Sequence, residues 1–202
     1  MTRHSTSFVT LAVLIACVSL AAPALAGIGK ISFVSSRDGN LEIYLMDQDG
    51  SAQTRLTATE GGETWPAISP DGSKIAFFSQ RSGQWNLHSM DLDGTNVSQL
   101  TSNLPHDIGA GITTSVIDWH PDGSRILFNV RVAGVWQLFS VAPDGTGLTQ
   151  LTFGVLDTHY ARYNLDGTAI HAMRNTPFNG FSSEVWVGNP NGTGFIQLTS
   201  TP

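Results

Sequence analysis

Cysteine is almost absent: the 202-residue chain has one, Cys17. No internal disulfide can form, so stability has to come from packing. Basic charge is scarce as well, with 10 Lys and Arg against 16 Asp and Glu and no basic run. That balance argues against nucleic acid or anionic lipid as a partner. The longest apolar stretch, Phe8 to Leu20, is short for a membrane span and has no basic flank after it. The pentapeptide Gly-x-Ser-x-Gly, which marks a hydrolase nucleophile elbow, does not occur.

The first 26 residues read as a secretory leader. Arg3 supplies the basic start, Phe8 to Leu20 the apolar core, and Ala24-Leu25-Ala26 the small-x-small cleavage pattern, which places the cut before Gly27. The alternative is a lipoprotein anchored at Cys17, because Leu14 to Cys17 fits the box before a lipidated cysteine; the residues after Cys17 stay apolar, which disfavours it. The destination is therefore periplasmic or secreted. Without the leader the chain carries 9 basic and 16 acidic side chains, a net charge of −7. Residues 27–202, about 176 in all, suffice for one domain with a core.

What the mature sequence does contain is repetition. "SPDGSKIAFF" (69–78) returns as "HPDGSRILFN" (120–129), more loosely as "NLDGTAIHAM" (164–173), and a partial copy "KISFVSS" begins at Lys30. A second turn follows each copy, at Asp47, Asp91, Ala142 and Asn189. A Leu-Thr pair closes each unit: Leu56-Thr57, Leu100-Thr101, Leu151-Thr152 and Leu198-Thr199, spaced 44, 51 and 47 residues apart. Self-similarity at this period marks solenoids and propellers.

Within a unit the hydrophobic pattern is that of strands. "KIAFFS" and "RILFNV" are continuous apolar runs of strand length, as expected when both faces are buried. "LEIYLMD" and "WNLHSMD" alternate, and Asp-Gly turns separate the segments. Each unit is thus a four-stranded meander: strand A ("WPAIS"), strand B ("KIAFFS"), strand C ("WNLHSMD") and strand D ("VSQLT"). The expected fold is all-β, a β-propeller of about four four-stranded antiparallel blades over 27–57, 58–101, 102–152 and 153–202. The first blade begins at strand B, so fifteen strands are expected and the ring is open or partial. Open blade faces would favour self-association, or completion by further blades of a longer propeller.

The run "WPAISPDGSKIAFFSQRSG" followed by "LHSMDLDGTNVSQLT" resembles the WD40-like repeat of the TolB propeller family, also found in prolyl oligopeptidase-type propellers. The resemblance covers the chain from about Lys30 onward. It implies a periplasmic, non-catalytic propeller that binds protein, here following the leader without the α/β domain that precedes the propeller in TolB.

Turn chemistry accounts for Asp71, Asp122 and Asp166: proline presets φ, aspartate bonds its own backbone, and glycine takes positive φ. The same reading covers Asp47, Asp49, Asp91 and Asp93, whose Asp-x-Asp-Gly lacks the later ligands of a calcium loop. Arg37 and Arg81, in the family's Ser-x-Arg position, read as structural. Function is sought where the repeats differ. Thr57 to Asp71 and Thr152 to Asp166 both span 14 residues, but Thr101 to Asp122 spans 21. The strand B to C loop "RNTPFNGFSS" is longer than its counterparts by three. Both insertions fall on the rim made by the B–C loops and the crossovers between blades. That rim carries the candidate binding residues His106, Asp107, Asp157, His159, Trp85, Trp136, Phe178 and Phe181. Trp85 and Trp136 also suit blade packing, and the histidines and aspartates also suit solvated loops. The resulting expectation is a protein or peptide partner in the cell envelope and no cofactor. The rival is a propeller lyase or hydrolase using the rim His/Asp pairs, with or without a metal.

Overall fold

The computed structural model describes residues 29–102, 104, 116–175 and 183–200. The N-terminal segment read as a leader, with Cys17, and most of both insertions lie outside them. Fifteen strands follow one another, with no helix among the described residues: β1 (Lys30–Ser35), β2 (Glu42–Asp47), β3 (Thr54–Arg55), β4 (Glu63–Ile68), β5 (Lys74–Ser79), β6 (Asn86–Asp91), β7 (Ser98–Gln99), β8 (Asp118–Trp119), β9 (Ile126–Val132), β10 (Val135–Val141), β11 (Thr149–Gln150), β12 (Thr158–Tyr163), β13 (Ile170–Asn175), β14 (Ser183–Gly188) and β15 (Ile196–Gln197). They form four antiparallel sheets in sequence order. The first has three strands, β1-β2-β3, and the others four: β4 to β7, β8 to β11 and β12 to β15.

The core consists of seams between neighbouring sheets. Ile43 of the first sheet packs with Ile75, Phe77 and Met90 of the second. Ala76, Phe78 and Leu87 of the second pack with Ile117, Trp119 and Phe128 of the third. Leu127, Leu138 and Leu151 of the third meet Ala161, Ile170 and Ala172 of the fourth. A strand B between two seams is buried on both faces, which is why its sequence is a continuous apolar run. Burial fails where no sheet faces the strand: Ile31 is 38% exposed while its equivalents Ile75, Ile126 and Ile170 are at 0%. Leu198 is likewise 55% exposed, against 5% for Leu100.

Strand A starts earlier than "WPAIS" suggests, because a bulge interrupts it. In the second sheet Thr64 pairs with Phe78 and Ala67 with Ala76, so Trp65 and Pro66 together oppose one residue. Trp65 takes φ +54° there, and Pro66, which has no N–H to give a ladder, sits where none is required. The fourth sheet repeats the device between His159 and Arg162, with Tyr160 at φ +49°.

Strand D is shorter than "VSQLT", and the Leu-Thr pair explains how so short a strand is held. Each threonine hydroxyl accepts the N–H of a strand C residue in place of a backbone carbonyl: Ile43 to Thr57, Leu87 to Thr101 and Leu138 to Thr152, all at 2.9 Å, and Val185 to Thr199 at 3.0 Å. The leucine carbonyl in turn lies under the Asp-Gly turn of the next sheet. A Cβ on Gly94 or Gly145 would stand 3.1 Å from the carbonyl oxygen of Leu56 or Leu100.

Candidate functional site

The turn aspartates do structural work, as their spacing indicated. Asp71 accepts the Ser73 N–H at 3.0 Å, Asp122 the Ser124 N–H at 2.8 Å and Asp166 the Thr168 N–H at 2.9 Å. The Ser124 hydroxyl and then the Ser124 N–H hold the pKa of Asp122 down at about 2. Asp49 and Asp93 bond Ser51 and Thr95 in the same manner. Among the described residues no three His, Cys, Asp or Glu side chains gather as metal ligands would. Arg37 and Arg81 each donate through Nε to the serine two residues earlier, at 2.9 and 3.0 Å. Each guanidinium also lies over an aromatic ring of its own sheet, Tyr44 and Phe77 respectively.

On the loop rim the fold brings together three of the candidate residues. Asp157, in the crossover before β12, accepts the backbone N–H of Trp136 at 2.8 Å, which ties the start of β10 to the next sheet. The other carboxylate oxygen stands 4.0 Å from His159 Nε2. The rings of Trp136 and His159 are 6.0 Å apart, and exposed Tyr160 continues the row at 6.1 Å from His159. His159 is not a solvated loop residue. It belongs to β12 and is 8% exposed, since strand A extends upstream of its bulge. Burial lowers its pKa, with the Asp157 charge opposing in part, so the ring is neutral at pH 7. Its Nδ1 is buried with no hydrogen-bond partner. Trp85 stands apart, packed against the seam of the second and third sheets and facing Gly62. His106, Asp107, Phe178 and Phe181 lie outside the described residues.

A feature that motif reading passed over is the central cavity of 520 Å³, lined by β1, β4, β8 and their flanks. Trp65, Trp119 and Pro66 give it apolar walls, and Lys30, Asp118 and Arg162 give it charge. Each charge is already partnered. Lys30 pairs with Asp47, and Arg162 donates to Asp118 at 2.9 Å. Trp119 Nε1 donates to the Ala67 carbonyl at 3.0 Å across the sheets. The bulge residue Trp65 and the repeated strand A aromatics were the available signal.

Comparison with known proteins places this geometry. The model of the tricorn protease N-terminal β-propeller domain matches residues 19–182. The Tol-Pal system protein TolB of Geobacter sulfurreducens is 52% identical over 44 residues, 22% of this chain and 10% of that protein. A TolB homologue of Chlorobaculum tepidum is 35% identical over 137 residues, 62% of this chain and 27% of that protein. The matched segments thus span about a quarter or less of these relatives' length. The crystal structure of TolB from Acinetobacter baumannii superposes with a TM-score of 0.66 at 24% identity, over 86% of this chain and 41% of that one, a likeness of fold. Four meander sheets with Pro-Asp-Gly turns and Leu-Thr clamps, matched over most of their length, make this chain a TolB-like propeller that belongs to the tricorn protease N-terminal β-propeller domain family.

Proposed function

We propose that this chain is an exported, non-catalytic propeller of the cell envelope that binds a protein or peptide through the rim of B–C loops and crossovers. The observation that carries the reading is the row Trp136, His159, Tyr160: a half-buried indole on a residue whose backbone N–H is held by Asp157, a buried imidazole, and an exposed phenol on a bulge. Preorganised aromatic groups with a polar edge are the usual anchors of protein interfaces. The sequence assigns both insertions to loops of this rim, and on that reading His106, Asp107, Phe178 and Phe181 belong to the proposed surface. The names of the curated relatives support an envelope setting, as does the leader.

The test is a pull-down from envelope extract with the mature chain as bait, its intact mass checked to begin at Gly27, followed by affinity measurement on the captured partner. Trp136→Ala, and separately replacement of residues 103–113 by a short Ala-Thr-Glu-Gly-Gly loop, should each weaken binding by about tenfold or more while the melting curve stays cooperative. Unchanged affinity in both variants would remove the rim from consideration. A second reading, a lyase or hydrolase acting on an acidic sugar or ester, rests on the unpaired Nδ1 of His159 beside Asp157. A stoichiometric, tightly bound transition metal in the purified protein would favour it.

A further inference from the structure

Two carboxylates are buried where the first and second sheets meet. Glu42 opens β2 and Glu63 opens β4, and both are 0% exposed. Their surroundings differ. Glu42 accepts three good hydrogen bonds: from Arg55 Nη2 at 2.9 Å, from the Thr57 hydroxyl at 2.6 Å and from the Thr59 N–H at 2.9 Å. Such a set stabilises an ionised carboxylate. Glu63 has the Ser79 hydroxyl at 2.8 Å, but its guanidinium partner, Arg81, is only at 3.3 Å and already donates through Nε to Ser79.

The proton count at Thr59 separates the two groups further. Its hydroxyl oxygen lies 2.7 Å from the Gly61 carbonyl and 2.8 and 2.9 Å from the two oxygens of Glu63. One hydroxyl hydrogen can serve one of these two neighbours. The other contact needs a hydrogen from the far side, and a carbonyl has none to give. Only Glu63 can supply it. We propose that Glu63 keeps its proton at neutral pH and donates it to the Thr59 hydroxyl, making the seam between the first two sheets a proton-holding latch that loosens when the proton leaves.

The charged groups around the pair are consistent with one proton and one negative charge. Arg55 reaches Glu42 from β3 and is itself 3.7 Å from Asp38, in the turn after β1. Arg81 approaches from the turn after β5, with His88 of β6 within its field. Glu60, in the crossover between the sheets, is exposed to solvent. Burial, then the neighbouring Glu42 carboxylate, raises the pKa of Glu63. For Glu42 burial acts upward too, but the influence of neighbouring Glu63 and the bonds from Thr57, Thr59 and Arg55 outweigh it and hold the group below its ordinary value. The equivalent of Glu42 in the third sheet is Gln137, which receives the same threonine bond from Thr152 at 2.7 Å.

The sign follows from linkage. A glutamate raised in the folded state contributes stability that is complete below its ordinary pKa and is lost as pH rises through the folded value. Alkaline solution should therefore loosen the first sheet, including the turn at 36–41 and the crossover at 56–62, which form its share of the loop rim. The latch does not depend on what the rim binds.

The chain has four glutamates, Glu42, Glu60, Glu63 and Glu184, so carbon-13 NMR of the wild-type mature chain can follow each carboxyl. Glu63 should still carry its proton at pH 7 while Glu42 is ionised. Melting curves from pH 5 to 9 should show wild type losing a few °C relative to Glu63→Gln as pH rises, whereas Glu42→Gln should lower the midpoint at every pH. Glu63 found ionised at pH 7, or Glu63→Gln tracking wild type across the whole range, would overturn the proposal. The NMR result stands alone if a variant fails to fold.

Discussion

Replacing Thr152 by valine should destabilise this propeller out of proportion to the change in shape. The Thr152 hydroxyl donates to Gln137 Oε1 at 2.7 Å and accepts the Leu138 N–H at 2.9 Å, and all three residues are buried. Valine keeps the volume and opens no cavity, so packing is nearly unchanged. What it removes is the partner of two groups that water cannot reach. An unsatisfied buried donor or acceptor costs about 1–3 kcal/mol, so the pair should cost about 2–6 kcal/mol. That is a large share of the ~5–15 kcal/mol by which a domain of this size is stable. Thr152→Ser supplies the control: it keeps the hydroxyl and loses one methyl group, worth about 1 kcal/mol. Urea unfolding of the mature chain, followed by tryptophan fluorescence, reads both variants. Adding Gln137→Leu to Thr152→Val should recover part of the loss, because removing both partners costs less than stranding one. If Thr152→Ser costs as much as Thr152→Val, the clamp acts through packing and the hydrogen-bond account of the Leu-Thr repeat is wrong.

Two further outcomes test the seams and the rim. Gly145→Ala should cost more than Gly50→Ala: both glycines sit near φ +85°, where a side chain costs about 1–3 kcal/mol, but only at Gly145 would the new Cβ press on the Leu100 carbonyl, at 3.1 Å. Equal losses in urea midpoint would mean that the turn does not bear on the neighbouring sheet. His88 and His159 are held below the ordinary histidine pKa chiefly by burial, so the stability they contribute is complete above about pH 6.5 and falls as the solution is acidified. His159→Phe should reduce the loss of melting temperature between pH 7 and pH 5, and an unchanged slope would show that His159 is not desolvated.

The sequence by itself determined the repeat, the all-β class, the order of the strands and the chemistry of the turns. These are local matters: period-two alternation, apolar runs and Pro-Asp-Gly turns act within ten residues, and each unit states them again. Fifteen strands could be counted from the punctuation alone, and the fifteen among the described residues match it. The tertiary structure decided what depends on residues distant in sequence. The strand A bulge was hidden because Trp65-Pro66 reads as ordinary strand until its partner Phe77 is known to be opposed by two residues. His159 read as a loop residue because nothing local shows that its segment pairs with β13 or that its ring packs beside Trp136 of the third sheet. The central cavity exists only once β1, β4 and β8 converge. Glu42 and Glu63 lie 21 positions apart in segments that look like any polar-edged strand. Only the packing of one sheet on the next takes both carboxylates out of water, and desolvation opposes the ionisation of each.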